Sequence, residues 1–173
     1  MMIRPSNQAG FTIIELIMVV CMIALVMAFA GPSLDGYTRE IRTKAVAREI
    51  YTMLQQARLT AIKENTSITA DFTPAGGNDS KGIYSERGKL EIPYPDGTYP
   101  HGKYPNGTAV LDLSSNSDFF GTKIMQNGST IDMTFTNKGT ANTQTVSVMH
   151  DDVSVKGYDI VTNDAGGIRI EKK

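Results

Sequence analysis

The sequence predicts an α+β fold, in which a long amino-terminal helix, membrane-spanning and then amphipathic, packs on a carboxy-terminal antiparallel β-sheet or small β-sandwich head. Three observations predict it. From Phe11 to Gly31 the only residues that are not apolar or glycine are Thr12 and Glu15. From Ser33 to about Asn65 apolar residues recur at steps of three and four. From Ser67 onward the period switches to two, with Gly/Asn/Asp-rich turns between the apolar pairs.

The elements follow in order. Residues 1–10, MMIRPSNQAG, form a short polar leader with Arg4 its one charge. Residues 11–32 form the apolar helix, whose 21 positions from Phe11 to Gly31 rise about 1.5 Å each and span roughly the hydrocarbon core of a bilayer. A secretory signal would show a shorter apolar stretch and a small-x-small exit, whereas this run ends in Gly31-Pro32 and is expected to stay with the mature chain. Residues 33–65 form the amphipathic helix, with Leu34, Tyr37, Ile41, Ala45, Val46, Ile50, Met53/Leu54, Ala57 and Ala61 on one stripe. Pro32 suits the first turn of this second helix but removes a hydrogen bond from a continuous one, which predicts a bend there.

Residues 66–173 form the β head. Ile68, Ala70 and Phe72 alternate with polar residues, as do Leu90 and Ile92, Val110 or Leu111 with Leu113, and Val153 with Val155. The segments 131–136 with 144–149, and 158–162 with 167–171, are expected to pair as hairpins, while PAGGNDSKG, NKGTAN and NDAGG are expected to be turns. One repeat interrupts the alternation: YPDGTYPHGKYPNG holds Tyr94-Pro95, Tyr99-Pro100 and Tyr104-Pro105, each followed by a turn residue and glycine. This loop is either purely structural or displays Tyr94, Tyr99 and Tyr104 to a partner.

Composition excludes several function classes. Residues 33–65 carry six Lys/Arg against four Asp/Glu, and residues 66–173 carry ten against thirteen, a net −3. A head of that sign is a poor partner for nucleic acid, and the chain has no polybasic tract for a lipid surface. The one cysteine, Cys21, sits inside the apolar run and can form neither an internal disulfide nor a cysteine-based zinc site. His101 and His150 have no partner at ligand spacing and are expected at the surface. There is no Gly-rich phosphate loop, no His-Glu-x-x-His and no Gly-x-Ser-x-Gly, so no catalytic residue, cofactor or metal is expected.

Glu15 is the anomaly. A carboxylate within hydrocarbon costs about 2.5–3.5 kcal/mol on insertion scales, and such groups usually face a partner. No basic residue lies in the run, and Arg4 precedes it. The flanking residues, a polar decapeptide ending in Gly10 and then Phe-Thr-Ile-Ile-Glu-Leu before an apolar helix, resemble a type IV prepilin signal. The resemblance implies that a membrane-embedded prepilin peptidase cuts between Gly10 and Phe11 and methylates the new amino terminus at Phe11. It further implies that Glu15 is an assembly residue facing the terminal ammonium of a neighbouring subunit, and that Pro32 is the helix-bending proline.

Farther along, YTMLQQARLTAIKENTSITADF resembles the helix-to-first-strand segment of GspH/FimT-type proteins, and MTFTNKGTANTQTVSV with YDIVTNDAGGIRI resembles their last hairpins. That family places a glycine-arginine pair before the last strand, where this chain reads Gly166-Gly167-Ile168-Arg169. The resemblance implies a minor pseudopilin of type II secretion or a minor type IV pilin, sited at or near a filament tip. Expected partners are prepilin peptidase, other pilin or pseudopilin subunits and an inner-membrane assembly platform. The expected location is the bacterial inner membrane, single-pass with a periplasmic head, and then the filament. Two alternatives stand beside it: a DNA-capturing minor pilin, for which Arg169, Lys172 and Lys173 offer a basic spot, and an anchored enzyme or sensor.

Overall fold

The computed structural model describes residues 10–78, 84–94, 107–115, 117–125 and 131–173, without the side chains of 29–34, 77–78 and 84–85. The chain divides into two units, Met1–Tyr37 and Thr38–Lys173. One helix, α1 (Ile13–Lys63), contributes to both. Its backbone stays helical through Gly31 and Pro32, so the hydrogen bond that proline cannot donate does not end the helix there.

The second unit is built on the carboxy-terminal part of α1. Val46, Ala47, Ile50, Met53, Leu54, Ala57 and Ala61 are buried on one stripe of the helix. The expected stripe began earlier, but Tyr37 and Ile41 are exposed, because burial starts only at Thr43, and Ala45 is exposed on a face of the helix off the buried stripe. The helix stops in a glycine-free cap. Asn65 takes the left-handed conformation with φ 51°, and Thr66 N–H donates to the Ala61 carbonyl across the turn. Asn137 Nδ2 then donates to Asn65 Oδ1, tying this cap to a later turn.

Among the described residues ten strands follow: β1 (Ile68–Thr73), β2 (Gly76–Asn78), β3 (Tyr84–Glu86), β4 (Lys89–Pro93), β5 (Thr108–Asp112), β6 (Thr122–Met125), β7 (Ile131–Phe135), β8 (Thr145–His150), β9 (Tyr158–Thr162) and β10 (Ile168–Lys172). Two four-stranded antiparallel sheets run in the orders β5-β4-β1-β7 and β10-β9-β8-β6, and β2 pairs with β3. Ile68, Ala70 and Phe72 of β1, Leu90 and Ile92 of β4, Val146 and Val148 of β8 and Ile160 of β9 point into one core shared with α1.

Several expectations need correction. The β9–β10 hairpin forms, with Ile160 opposite Ile170. The other expected hairpin does not: β7 pairs with β1 in one sheet, while β8 pairs with β6 and β9 in the other. The return from β7 begins as a single bridge between Phe135 and Ala141. The Asn142 side chain then substitutes for a strand, accepting from Thr134 N–H at 2.8 Å and donating to the Asp132 carbonyl at 2.7 Å. That satisfies the β7 edge and frees the backbone to cross to the second sheet. Part of PAGGNDSKG is strand β2, and Val153 is a fully exposed turn residue, not part of a strand. β6 was not legible, since Ile124 is its one fully inward large apolar residue.

Candidate assembly site

The site is built on the first turns of α1. Gly10, Phe11 and Thr12 precede the helix, and Thr12 caps it. The Thr12 carbonyl accepts from Glu15 N–H at 3.1 Å and Leu16 N–H at 3.2 Å, and its hydroxyl accepts from Glu15 N–H at 3.3 Å. Thr12-Ile13-Ile14-Glu15 thus has the spacing of a capping box, with threonine at the cap and glutamate three residues on. The spacing was there to be read in the sequence, and it gives Glu15 a local role at the positive end of the helix dipole. The carboxylate itself meets no hydrogen-bond donor or cation among the described residues.

Every described side chain from Phe11 to Ala28 is exposed. Thirteen of them are large and apolar, from Phe11 and Ile13 to Val26 and Met27, on all sides of the helix. At about 1.5–3 kcal/mol for burying each, the drive to cover this surface is of the order of tens of kcal/mol. Among the described residues no helix is long and apolar enough to cross a membrane. The described side chains of this stretch end at Ala28, and those of 29–34, Pro32 included, lie outside.

The tyrosine loop divides. Tyr94 extends the inward alternation of Leu90 and Ile92 and is buried in the core, so it is not displayed to a partner. Its N–H donates to the Gly107 carbonyl at 2.7 Å, bringing the two ends of the loop together. Tyr99 and Tyr104 lie outside the described residues. His150 is half-buried and holds a turn, its Nδ1 accepting from Asp152 N–H at 3.0 Å; burial lowers its pKa below the ordinary histidine value. Among the described residues no group of three or more His, Cys, Asp or Glu is placed to hold a metal ion.

Two arginine-centred contacts in the head carry no sequence signal, because their members are far apart in the chain. Arg87, buried, donates to Asp151 Oδ2 at 2.7 Å and lies 5.0 Å from the Phe120 ring centre. Lys123 Nζ stands 3.5 Å from the other Asp151 oxygen, close enough to pair but without hydrogen-bond geometry. Arg58 donates from Nε to the Gly139 carbonyl at 2.9 Å and from a terminal nitrogen to the Ala165 carbonyl at 3.4 Å, so α1 clamps two turns at once.

The GspH family, described as type II transport protein GspH, matches residues 46–166. The chain belongs to that family. The match covers α1 from Val46 onward and nearly all of the head, and leaves Gly10, Phe11 and Glu15 outside. Among solved structures, this GspH-family chain is similar to the type IV minor pilin FimU of Pseudomonas aeruginosa, at 19% identity over 78% of this chain and 92% of that one, with a TM-score of 0.50. It also aligns with the minor pseudopilin EpsH from the type 2 secretion system of Vibrio cholerae, at 14% identity over 75% of this chain and 96% of that one, TM-score 0.47. The α+β architecture, a helix packed on antiparallel sheets, is the fold this chain shares with FimU.

Proposed function

We propose that this GspH-family chain is a structural subunit of a secretion pseudopilus or type IV pilus, a minor pilin or pseudopilin at or near the filament tip. The carrying observation is the helix from Ile13 to Ala28, exposed and apolar on every side, with one carboxylate in its first turn. Such a surface suits a bilayer before assembly and a helical bundle afterwards. The role is mechanical and needs no catalytic group.

On this reading prepilin peptidase removes residues 1–10, and Phe11 becomes a methylated amino terminus. A terminal amine ordinarily titrates near 7.7–8.0 and is therefore largely cationic near neutrality. Within an apolar bundle that ammonium and Glu15 of the adjacent subunit each need a counter-charge, since an unpaired ion there is costly. Their pairing sets one subunit's register against the next. The inner-membrane assembly platform moves the cleaved helix from the lipid into the bundle, with the head on the periplasmic side. Support comes from family membership, from the position of Glu15 at the helix start and from its lack of a cation among the described residues.

Glu15→Leu tests the reading. The substitution keeps helix propensity and adds apolar surface, so membrane insertion persists while recovery in sheared filaments falls. Recovery of Glu15→Leu in filaments at the wild-type level would contradict it.

A further inference from the structure

Unit Thr38–Lys173 holds a groove of about 410 Å³, lined by Glu40, Lys44 and Arg48 of α1 and by Tyr158, Ile170 and Lys172 of β9 and β10. The three α1 residues stand four apart and form one stripe of the helix. Ile170 and Lys172 alternate onto one face of β10. Tyr158 is buried and Ile170 half-buried against the core, which gives the groove an apolar floor.

Its charge is unbalanced: three cations face one carboxylate. That carboxylate is already taken, because Lys172 Nζ donates to Glu40 Oε1 at 2.5 Å. This bond lowers the Glu40 pKa and raises that of Lys172. Lys44 and Arg48 are exposed, and their side chains make no hydrogen bond or ion pair among the described residues. β10 also ends its sheet, so among the described residues one side of its backbone has no strand partner. An open edge of N–H and C=O groups accepts an added extended strand, with neighbouring pockets reading alternate side chains.

We propose that this groove docks an extended, acidic polypeptide segment of a partner protein, laid along the free edge of β10 with its carboxylates on Lys44 and Arg48. Nucleic acid fits less well, because Glu40 lies in the groove, the floor is apolar, and residues 66–173 carry a net −3. A second copy of this chain does not supply the segment from its acidic row Glu91-Asp71-Asp132. The central strand of that row, β1, is paired on both edges and cannot be added to another sheet. The proposal stands on the groove itself and does not depend on filament assembly.

The test uses the full-length chain in detergent micelles and a short fluorescein-labelled peptide alternating Glu and Val, read by fluorescence anisotropy. Saturable binding is expected, weakening as salt rises. The paired change Lys44→Glu with Arg48→Glu should weaken it about tenfold or more, and Glu40→Gln, which frees Lys172, should tighten it about threefold. The same peptide with alternate backbone amides methylated should bind about tenfold more weakly, because strand addition is blocked. Circular dichroism of the variants checks that the fold is kept. Absence of saturable binding, equal binding of the methylated peptide, indifference to the Lys44/Arg48 change, or tighter binding of a single-stranded oligonucleotide would each overturn the proposal.

Discussion

Replacing Asp151 by asparagine keeps the side chain's shape and removes its charge. The carboxylate joins two cations, Arg87 with a side chain 10% exposed and Lys123 with one 12% exposed, while its own side chain is 24% exposed. Arg87 leads into β4 of the first sheet, and Lys123 and Asp151 lie on and just after β6 and β8 of the second. The pair therefore pins the two sheets together at one end. Breaking a fully buried pair costs about 3–5 kcal/mol, because the remaining ion is stranded. The partial exposure here lowers that to about 2–4 kcal/mol. Asp151→Asn should accordingly lower the head's melting temperature by about 5–15 °C. Arg87→Met in the Asp151→Asn background should restore part of the loss, with a coupling of about 1.5 kcal/mol or more. Urea or thermal unfolding of the single and double variants, followed by circular dichroism, measures both quantities. A cost below about 0.5 kcal/mol, or strict additivity of the two changes, would refute the claim that a buried charge pair ties the sheets.

Asp71 faces Glu91 on β4 and Asp132 on β7, and its pKa is raised by desolvation first and by the charges of Asp132 and Glu91 next. A raised carboxylate holds its proton to higher pH when folded, so it destabilises the head at neutrality and ceases to do so as pH falls toward 3.8. Asp71→Asn should thus stabilise by about 0.5–1 kcal/mol at pH 7 and by less at pH 4, as measured by urea unfolding at the two values. His150 has the opposite sign. Its lowered pKa means that stability present above the ordinary 6.5 is lost as pH falls through the folded value, and His150→Asn should flatten the stability profile in that acid range. Gly166 has φ +74°, and a methyl group there would collide with the Gly139 carbonyl oxygen that Arg58 binds. Gly166→Ala should cost about 2 kcal/mol or more and show as a lowered urea midpoint.

Local periodicity carried the parts of the fold that depend on neighbours in sequence. The buried stripe from Val46 to Ala61, the alternation of β1 and β4, and the β9–β10 hairpin across NDAGG were all readable, since each is fixed within a few residues. Partner choice between strands was not. MTF and TVSV look like two arms of a hairpin, but the Asn142 side chain closes the β7 edge and β8 joins the other sheet, a decision made by contacts with distant strands. Pro95 and Gly97 make Tyr94 read as part of the turn repeat, structural or displayed, whereas strand register carries it inward. The capping spacing of Thr12 and Glu15 was legible and overlooked. The Arg87–Asp151 pair, 64 residues apart, carries no local signal.

The filament account turns on the amino terminus. Mass spectrometry of the amino-terminal peptide of the chain recovered from sheared filaments measures it directly. The account predicts a chain beginning at methylated Phe11, with Gly10 and everything before it gone. A filament-borne chain still carrying Met1 to Gly10, or one beginning at an unmethylated residue elsewhere, would contradict it.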